Sequence, residues 1–236
     1  DPHNGYRYYA ADQLEMLDHI LMLKDMGMSL QEIRSFLALP DTADAVQVMR
    51  RQQQLLRERQ TRLREAIARL DRKLETIEAL QGAVPGEIAC VTLSAVPLAV
   101  RPVEAPGDAV ATDIALKTLL REVSERRMPF VYQMGTRISP EAMQRKECTR
   151  AFEVFFPLQK RCRDSLCHER PEGIYLRCVH SGSYADVGAT YAAMLTFMEQ
   201  HHLHLSGGSY EYCVLDSMTV RTPEAYQTEI LLPVEE

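Results

Sequence analysis

The sequence has no apolar run long enough and free enough of charge to cross a bilayer, and no basic-then-apolar leader opens it. A helical membrane span is therefore excluded, and no export leader is expected. Cysteine is scarce: Cys90, Cys148, Cys162, Cys167, Cys178 and Cys213 are too few and too scattered to staple a secreted scaffold. Free thiols in a reducing cytoplasm are expected. The catalytic signatures GxSxG, GxxxxGK[ST], GxGxxG and HExxH are all missing, and the chain is not expected to be an enzyme. Cys162, Cys167 and His168 form one group of metal-type ligands, and His201, His202 and His204 form another. Neither has tetrahedral spacing, so no metal and no cofactor is expected. His180 alone stands in a candidate pocket strand, too little for haem carriage. Glycine and proline vanish altogether between Asp44 and Leu80.

What is present is an ordinary globular composition, 46% hydrophobic and 25% charged over 236 residues, which suits one large domain or two small ones. The net charge is −6, nearly all of it after residue 82. That part of the chain should repel phosphate and tolerate cations.

Helical punctuation begins at Asp12, a candidate N-cap with Glu15 three residues on, followed by an apolar stripe of Leu14, Leu17 and Leu21. Gly27 suits a left-handed helix end. Ser29-Leu30-Gln31-Glu32 reads as a capping box opening a short helix that buries Ile33, Phe36 and Leu37, with Pro40 and Asp41 ending it. In the Gly/Pro-free stretch, Met49, Leu56, Leu63, Leu70 and Ile77 recur every seven residues. A stripe that narrow, flanked by Arg and Glu, is hard to bury in a globular bundle and reads as a dimerising coiled coil. Gly82, Pro85 and Gly86 form a linker.

The remainder contains a duplication. Val100-Arg101-Pro102-Val103 returns as Leu176-Arg177-Cys178-Val179, and Phe152–Leu158 returns as Thr228–Val234, both at an offset of 76. Each copy holds a helical stretch, Ala115–Arg126 or Val187–His201. A strand-like run follows each, Phe130–Ile138 or Tyr210–Asp216. Two β-α-β-β copies, neither able to bury a core alone, should share one antiparallel sheet with two helices, making the chain α+β overall.

These stretches resemble known families. Gly5-Tyr6-Arg7-Tyr8-Tyr9, then Leu23-Lys24-Asp25-Met26-Gly27-Met28-Ser29-Leu30-Gln31-Glu32-Ile33, is similar to the MerR family of bacterial transcription regulators. The first run stands at the wing of that family's winged helix-turn-helix. The N-terminal part of the helix-turn-helix, with the recognition helix that the family places upstream, lies outside the sequence. The long helix stands where the family dimerises. From about Val91 onward the chain resembles the gyrase-inhibitor-like effector domain of multidrug-responsive members. The expected organisation is 1–43, part of a winged-helix DNA-binding region; 44–82, a dimerisation helix; and 83–236, the effector domain.

The resemblance implies a cytoplasmic homodimer that senses a small lipophilic effector and distorts double-stranded promoter DNA for RNA polymerase. A hydrolase or drug-sequestering protein on the same fold is the alternative. Tyr6, Arg7, Tyr8, Tyr9 and Lys24 are candidates for DNA contact, since phenol and guanidinium donors suit phosphate oxygens. In the effector domain the resemblance places a cation-facing carboxylate at Glu211 and a pocket tyrosine at Tyr226, early in the last strand. It also leaves Ala115 where the family has an aromatic. Tyr132, Tyr175, Tyr184 and Tyr191 are further candidates to offer ring faces to a cation. Glu211 could instead pair with Arg101 or Arg177. If Cys213 and Leu215 share its face, the carboxylate points to an apolar side, where an unpaired anion favours a cationic guest.

Overall fold

The structure, a computed structural model, describes residues 10–80 and 82–235, so Tyr6, Arg7, Tyr8 and Tyr9 lie outside the described residues. The chain forms two compact units that divide within its longest helix, one ending at Ala68 and the other beginning at Arg69.

In the first unit, α1 (Ala11–Asp25) starts one residue before Asp12, so the N-cap is Ala10 rather than Asp12. The Gln13 side chain accepts from the Ala10 backbone N–H at 2.9 Å, a role no residue at position 15 could fill. Its C-terminus fits the sequence reading. Gly27 sits at φ +89°, Gly27 N–H donates to Lys24 O and Met28 N–H to Leu23 O, which is a Schellman motif. The motif turns Leu23 and Met28 into a small core with Ile33 of α2 (Leu30–Leu37). α2 opens on the expected capping box: Glu32 N–H donates to Ser29 Oγ at 3.2 Å and Ser29 N–H to Glu32 Oε2 at 2.7 Å.

Two further sequence readings fail in this unit. Leu37 is exposed, because α2 is only two turns long and Ile33 and Phe36 already fill the face toward α1. Leu14, Leu17 and Leu21 are exposed too; α1 packs on α2 through Ile20 and Leu23 instead.

The helix α3 (Thr42–Ala79) has no buried residue along its 38 positions. Its heptad residues Met49, Leu56, Leu63 and Leu70 are 48%, 36%, 56% and 56% exposed, and Ile77 is half-buried. An apolar stripe this long left uncovered on a single chain is what a dimerisation helix presents.

The second unit contains the duplication. Copy 1 is β2 (Val96–Pro102), α4 (Ala109–Glu125), β3 (Gly135–Ile138) and β4 (Ala151–Pro157). Copy 2 is β6 (Gly173–Ser181), α6 (Val187–Gln200), β8 (Tyr210–Leu215) and β9 (Gln227–Glu235). Their strands lie in the order β6-β9-β8-β3-β4-β2, all antiparallel, so the copies mirror each other about the β8–β3 junction. α4 starts six residues earlier than its apolar periodicity suggested, because Asp108 caps it by accepting from Val110 N–H. Of the run Phe130–Ile138 the last four residues form a strand, and Phe130 makes a lone antiparallel bridge to Leu158.

Four elements went unread in the sequence: β1 (Ala89–Leu93), α5 (Pro140–Gln144), β5 (Cys167–Arg170) and β7 (His204–Leu205). β1 and β5 form the two ends of the sheet. Yet β1 runs into β2 through Ser94 and Ala95, and β5 into β6 through Pro171 and Glu172. Two-residue links span only about 10 Å, so the ends must approach and the sheet must curl. Arg170 Nη2 donates to Ser94 O at 3.0 Å between these turns, and its guanidinium lies over the Tyr175 ring.

Both helices pack on the convex side of that curl: α4 on Ala99, Val154 and Phe156, α6 on Leu176, Ile230 and Leu232. The inward side is filled by Leu98, Val100, Phe155, Tyr175, Tyr210, Tyr212 and Leu231. Gly135 is required there. A Cβ on it would fall 2.1 Å from the Phe155 ring, which lies across the strand.

Free thiols are not the state of every cysteine. Cys162 and Cys167 form a disulfide, their Cα atoms 6.2 Å apart where the loop after β4 turns back into β5. Six residues looping back on themselves bring the pair together, which spacing alone did not reveal. Among the described residues no group of His, Cys, Asp and Glu is arranged to hold a metal.

Candidate functional site

Strand alternation and register place Glu211 on the helix-packed face. Glu211 pairs with Ile230 of β9 on one side and Thr136 of β3 on the other; Thr136 in turn pairs with Val154 of β4. A row Val154–Thr136–Glu211–Ile230 thus crosses the junction of the copies, and the carboxylate is the single charge in it. Cys213 follows on the same face, opposite Thr228, but a bulge between Cys213 and Leu215 shifts the register so that Leu215 pairs with Gln227 and leaves that face, against the expected alternation.

Glu211 has no cationic partner among the described residues. Arg177 Nε donates to Glu229 Oε1 at 2.6 Å and Arg101 Nη1 to Glu122 at 3.0 Å, so both arginines that could have neutralised it are engaged elsewhere. Its oxygens are held by neutral donors. The Thr136 hydroxyl donates to Oε2, and the Tyr191 hydroxyl donates to Oε1 at 2.7 Å. Ser209 Oγ lies 2.7 Å from the same phenol and accepts from Ile138 N–H at 3.0 Å, fixing the ring's tip. Burial pushes the Glu211 carboxyl above its ordinary value, and the hydrogen bonds from Thr136 and Tyr191 pull the other way. Burial and the adjacent carboxylate together hold the Tyr191 phenol protonated. A partly buried, hydrogen-bonded but uncompensated carboxylate stabilises a positive guest more than a neutral one.

The remaining candidates separate. Tyr191 is fully buried beneath the carboxylate. Tyr184 and Tyr226 form a second aromatic station, with ring centroids 5.4 Å apart; Tyr184 is exposed and lies against the Cys213 thiol, which burial pushes up to about 11. Tyr226 immediately precedes β9 rather than lying inside it. Tyr132, 43% exposed, stands at the copy 1 end, near Phe130 and Phe156.

Tyr175 is not in this region. It is 1% exposed on the inward side of the curl, and its hydroxyl donates to Pro171 O at 2.7 Å. Strand parity puts Leu176, not Tyr175, under α6. Lys24 is exposed in the last turn of α1. His180 has both ring nitrogens occupied, by Thr190 Oγ1 at 2.8 Å and Ser183 O at 3.1 Å.

Thr136 and Ser209 were missed in the sequence. The repeat gave no signal for Thr136, because its offset of 76 matches Thr136 to Tyr212; only the register, with Thr136 opposite Val154 and Glu211 opposite Ile230, makes the two equivalent and brings them together where the copies join.

The unit from Arg69 onward is thus a duplicated β-α-β-β sheet whose helix-packed face carries an uncompensated carboxylate at the junction of the copies. Comparison with known proteins agrees. Residues 139–235 match the GyrI-like small molecule binding domain, and residues 14–80 match the MerR DNA-binding family. The chain therefore carries a MerR DNA-binding region followed by a GyrI-like effector domain, and it is a ligand-responsive transcription regulator of the MerR type.

The multidrug-efflux transporter 2 regulator of Bacillus subtilis is 22% identical over 255 residues, 99% of this chain and 85% of that protein. The transcriptional regulator BrlR of Pseudomonas aeruginosa is 36% identical over 77 residues, 31% of this chain and 28% of that one. EcmrR in its DNA complex has a similar fold, with TM-score 0.54 and 17% identity, covering 100% of this chain and 88% of that one. The isolated EcmrR C-terminal domain gives TM-score 0.53 at 16% identity, over 64% of this chain and 98% of that domain.

Proposed function

We propose that the chain is a cytoplasmic homodimeric regulator whose effectors are lipophilic cations, received at Glu211 with Tyr191 beneath and Tyr184 and Tyr226 beside it. The observation that carries this is the Glu211 carboxylate, set in an apolar face with two neutral donors and no cation among the described residues. The name of the B. subtilis relative, a regulator of a multidrug-efflux transporter, supports the ligand class. The similar fold of EcmrR is seen in complex with DNA, which supports promoter DNA as the partner, with RNA polymerase acting on the distorted promoter.

Arg7, the neighbouring tyrosines and Lys24 are assigned to phosphate contact. The organisation 1–43, 44–82 and 83–236 assigns DNA binding, dimerisation and effector capture in turn. No helix among the described residues is long and apolar enough to span a membrane.

In this reading the site binds its guest without turning it over: Tyr226 packs on Tyr184, and both Glu211 carboxylate oxygens already accept hydrogen bonds.

Calorimetric titration with tetraphenylphosphonium and with a neutral aromatic of the same size tests the proposal. Glu211→Gln should weaken the cation about ten- to hundredfold, on the order of 1–3 kcal/mol, and leave the neutral compound nearly unchanged. Tyr226→Ala should weaken both, since a neutral ring also uses an aromatic face. Equal changes on Glu211→Gln, or none, would make Glu211 a structural carboxylate.

A further inference from the structure

The β3–β8 junction is a short seam within the sheet. Its register pairs are Gly135–Tyr212 and Thr136–Glu211, flanked by Ser209 N–H donating to Ile138 O and Cys213 N–H to Met134 O, whereas β6 and β9 pair along nearly their whole length. The candidate ligand carboxylate therefore sits on the seam between the two copies. The last turns of α3 hold both sides of that seam. Lys73 Nζ donates to Val214 O at 2.8 Å and lies 3.1 Å from Asp216 Oδ2, with side chains only 12% and 13% exposed. Val214 is on β8, and Asp216 stands just beyond its end, five residues past Glu211. Arg72, the preceding helix residue, reaches copy 1. With the Gln159 amide oxygen facing it, its Nη1 and Nη2 donate at 2.9 and 3.0 Å, and Gln159 N–H in turn donates to Pro129 O in the segment entering β3. Leu80, at the helix end, packs on Val179 and Val214 of copy 2.

We propose that Arg72 and Lys73 form a two-point clamp across the seam, one point on each copy, through which occupancy of the Glu211 groove is passed to the dimerisation helix. The proposal rests on Glu211 as the ligand carboxylate.

Consecutive residues on a helix point about 100° apart, so neighbours can grip different partners while their backbone moves as one. The two grips are unequal. Lys73–Asp216 is an enclosed ion pair, and separating its members leaves an uncompensated charge; Arg72 holds a neutral amide, and its Nε is buried without a partner. Copy 2, which carries Glu211, is thus the firmly held side. A cation drawn to Glu211 competes with the Thr136 hydroxyl for the carboxylate across the seam. Any change in how β8 sits against β3 reaches Asp216 along an extended strand, and Lys73 carries it to α3. The groove side of Asp216 is occupied as well: Tyr184 and Cys213 both feel its charge. Lys73 and Arg72 are positioning residues here, with no contact to the ligand.

Hydrogen exchange of the helix amides 69–79 reads the clamp in the full chain. Tetraphenylphosphonium at saturation is expected to change their exchange in the wild type, and Lys73→Met should remove most of that response while the cation still binds. Lys73→Arg, which keeps the charge, should restore it. Asp216→Asn is the second disruptive variant, used if Lys73→Met fails to fold.

A ligand-free arm uses Tyr191→Phe, which takes one donor from Glu211. It should alter exchange in 69–79 when Lys73 is present and leave it unaltered in the Lys73→Met background. An undiminished helix response in the variants, in either arm, overturns the clamp. If the cation binds no variant and not the wild type, the Glu211 reading falls, and the Tyr191→Phe arm still decides the clamp.

Discussion

Glu211 shows how one residue's chemistry depends on what its neighbours leave undone. Its raised carboxyl pKa, caused first by burial, has a definite consequence for stability. A carboxyl whose folded pKa lies above its unfolded value favours folding in acid, and that contribution is lost as pH rises through the folded pKa. Above that folded pKa the ionised Glu211 is therefore a burden on the folded state in the absence of ligand. Glu211→Gln should raise the melting temperature near neutrality, with the gain shrinking as pH falls below the ordinary carboxylate range. Differential scanning calorimetry across pH checks this, and a gain that grew toward acid would contradict the assigned direction. Tyr191→Phe should push the Glu211 carboxyl higher still, since it removes a donor to the ionised form. The carboxyl carbon resonance followed by NMR titration reports that shift directly.

At the scale of elements, small local devices set the boundaries. The α2 capping box satisfies two N-terminal amide groups reciprocally. Ser29→Ala should cost about 1 kcal/mol, visible as faster exchange of the α2 amides relative to the effector domain. Strand β3 depends on the missing side chain of Gly135, because the Phe155 ring occupies the space of its Cβ. Gly135→Ala should destabilise the effector unit by about 2 kcal/mol or more, roughly 4–8 °C in Tm. Pairing it with Phe155→Leu should recover part of the loss. A tolerated alanine with no shift in Tm would mean the ring moves aside freely.

The whole molecule is expected to be a dimer. The first unit keeps a groove of about 330 Å³ lined by methionines and aliphatics, Met22, Met26, Met28, Met49 and Leu56 among them. Two of these residues, Met49 and Leu56, also belong to the heptad stripe. With Leu63 and Leu70 more than half exposed on the single chain, charged residues at both positions would face apolar partners at a cost of several kcal/mol in a dimer. Leu63→Asp with Leu70→Asp should sediment as a monomer while keeping the effector domain folded. A persistent dimer would refute the assignment of α3 as the dimerisation element.

How much of this could be read without coordinates depended on the range of the interaction. The capping box at Ser29, the left-handed Gly27, the uninterrupted α3 and the offset between the β-α-β-β copies all depend on residues a few positions apart or on direct self-similarity. For these, local stereochemistry and periodicity were enough. The face of Glu211 followed in part: alternation along Tyr210–Cys213 puts Glu211 and Cys213 on one face, but the bulge before Leu215 was not legible. The tertiary structure decided everything that required knowing which strand lies beside which.

The two-residue links at Ser94-Ala95 and Pro171-Glu172 curl the sheet, and that curl buries Tyr175 on the side away from Glu211, although as an aromatic it was a candidate to face a cation. Strand order at the junction of the copies brought Thr136 to Glu211, and α6 delivered Tyr191 and Ser209 to each other. The loop returning to β5 joined Cys162 to Cys167. These pairings are non-local, and their energies depend on burial that exists only once the whole sheet has closed, so no window of sequence contains them.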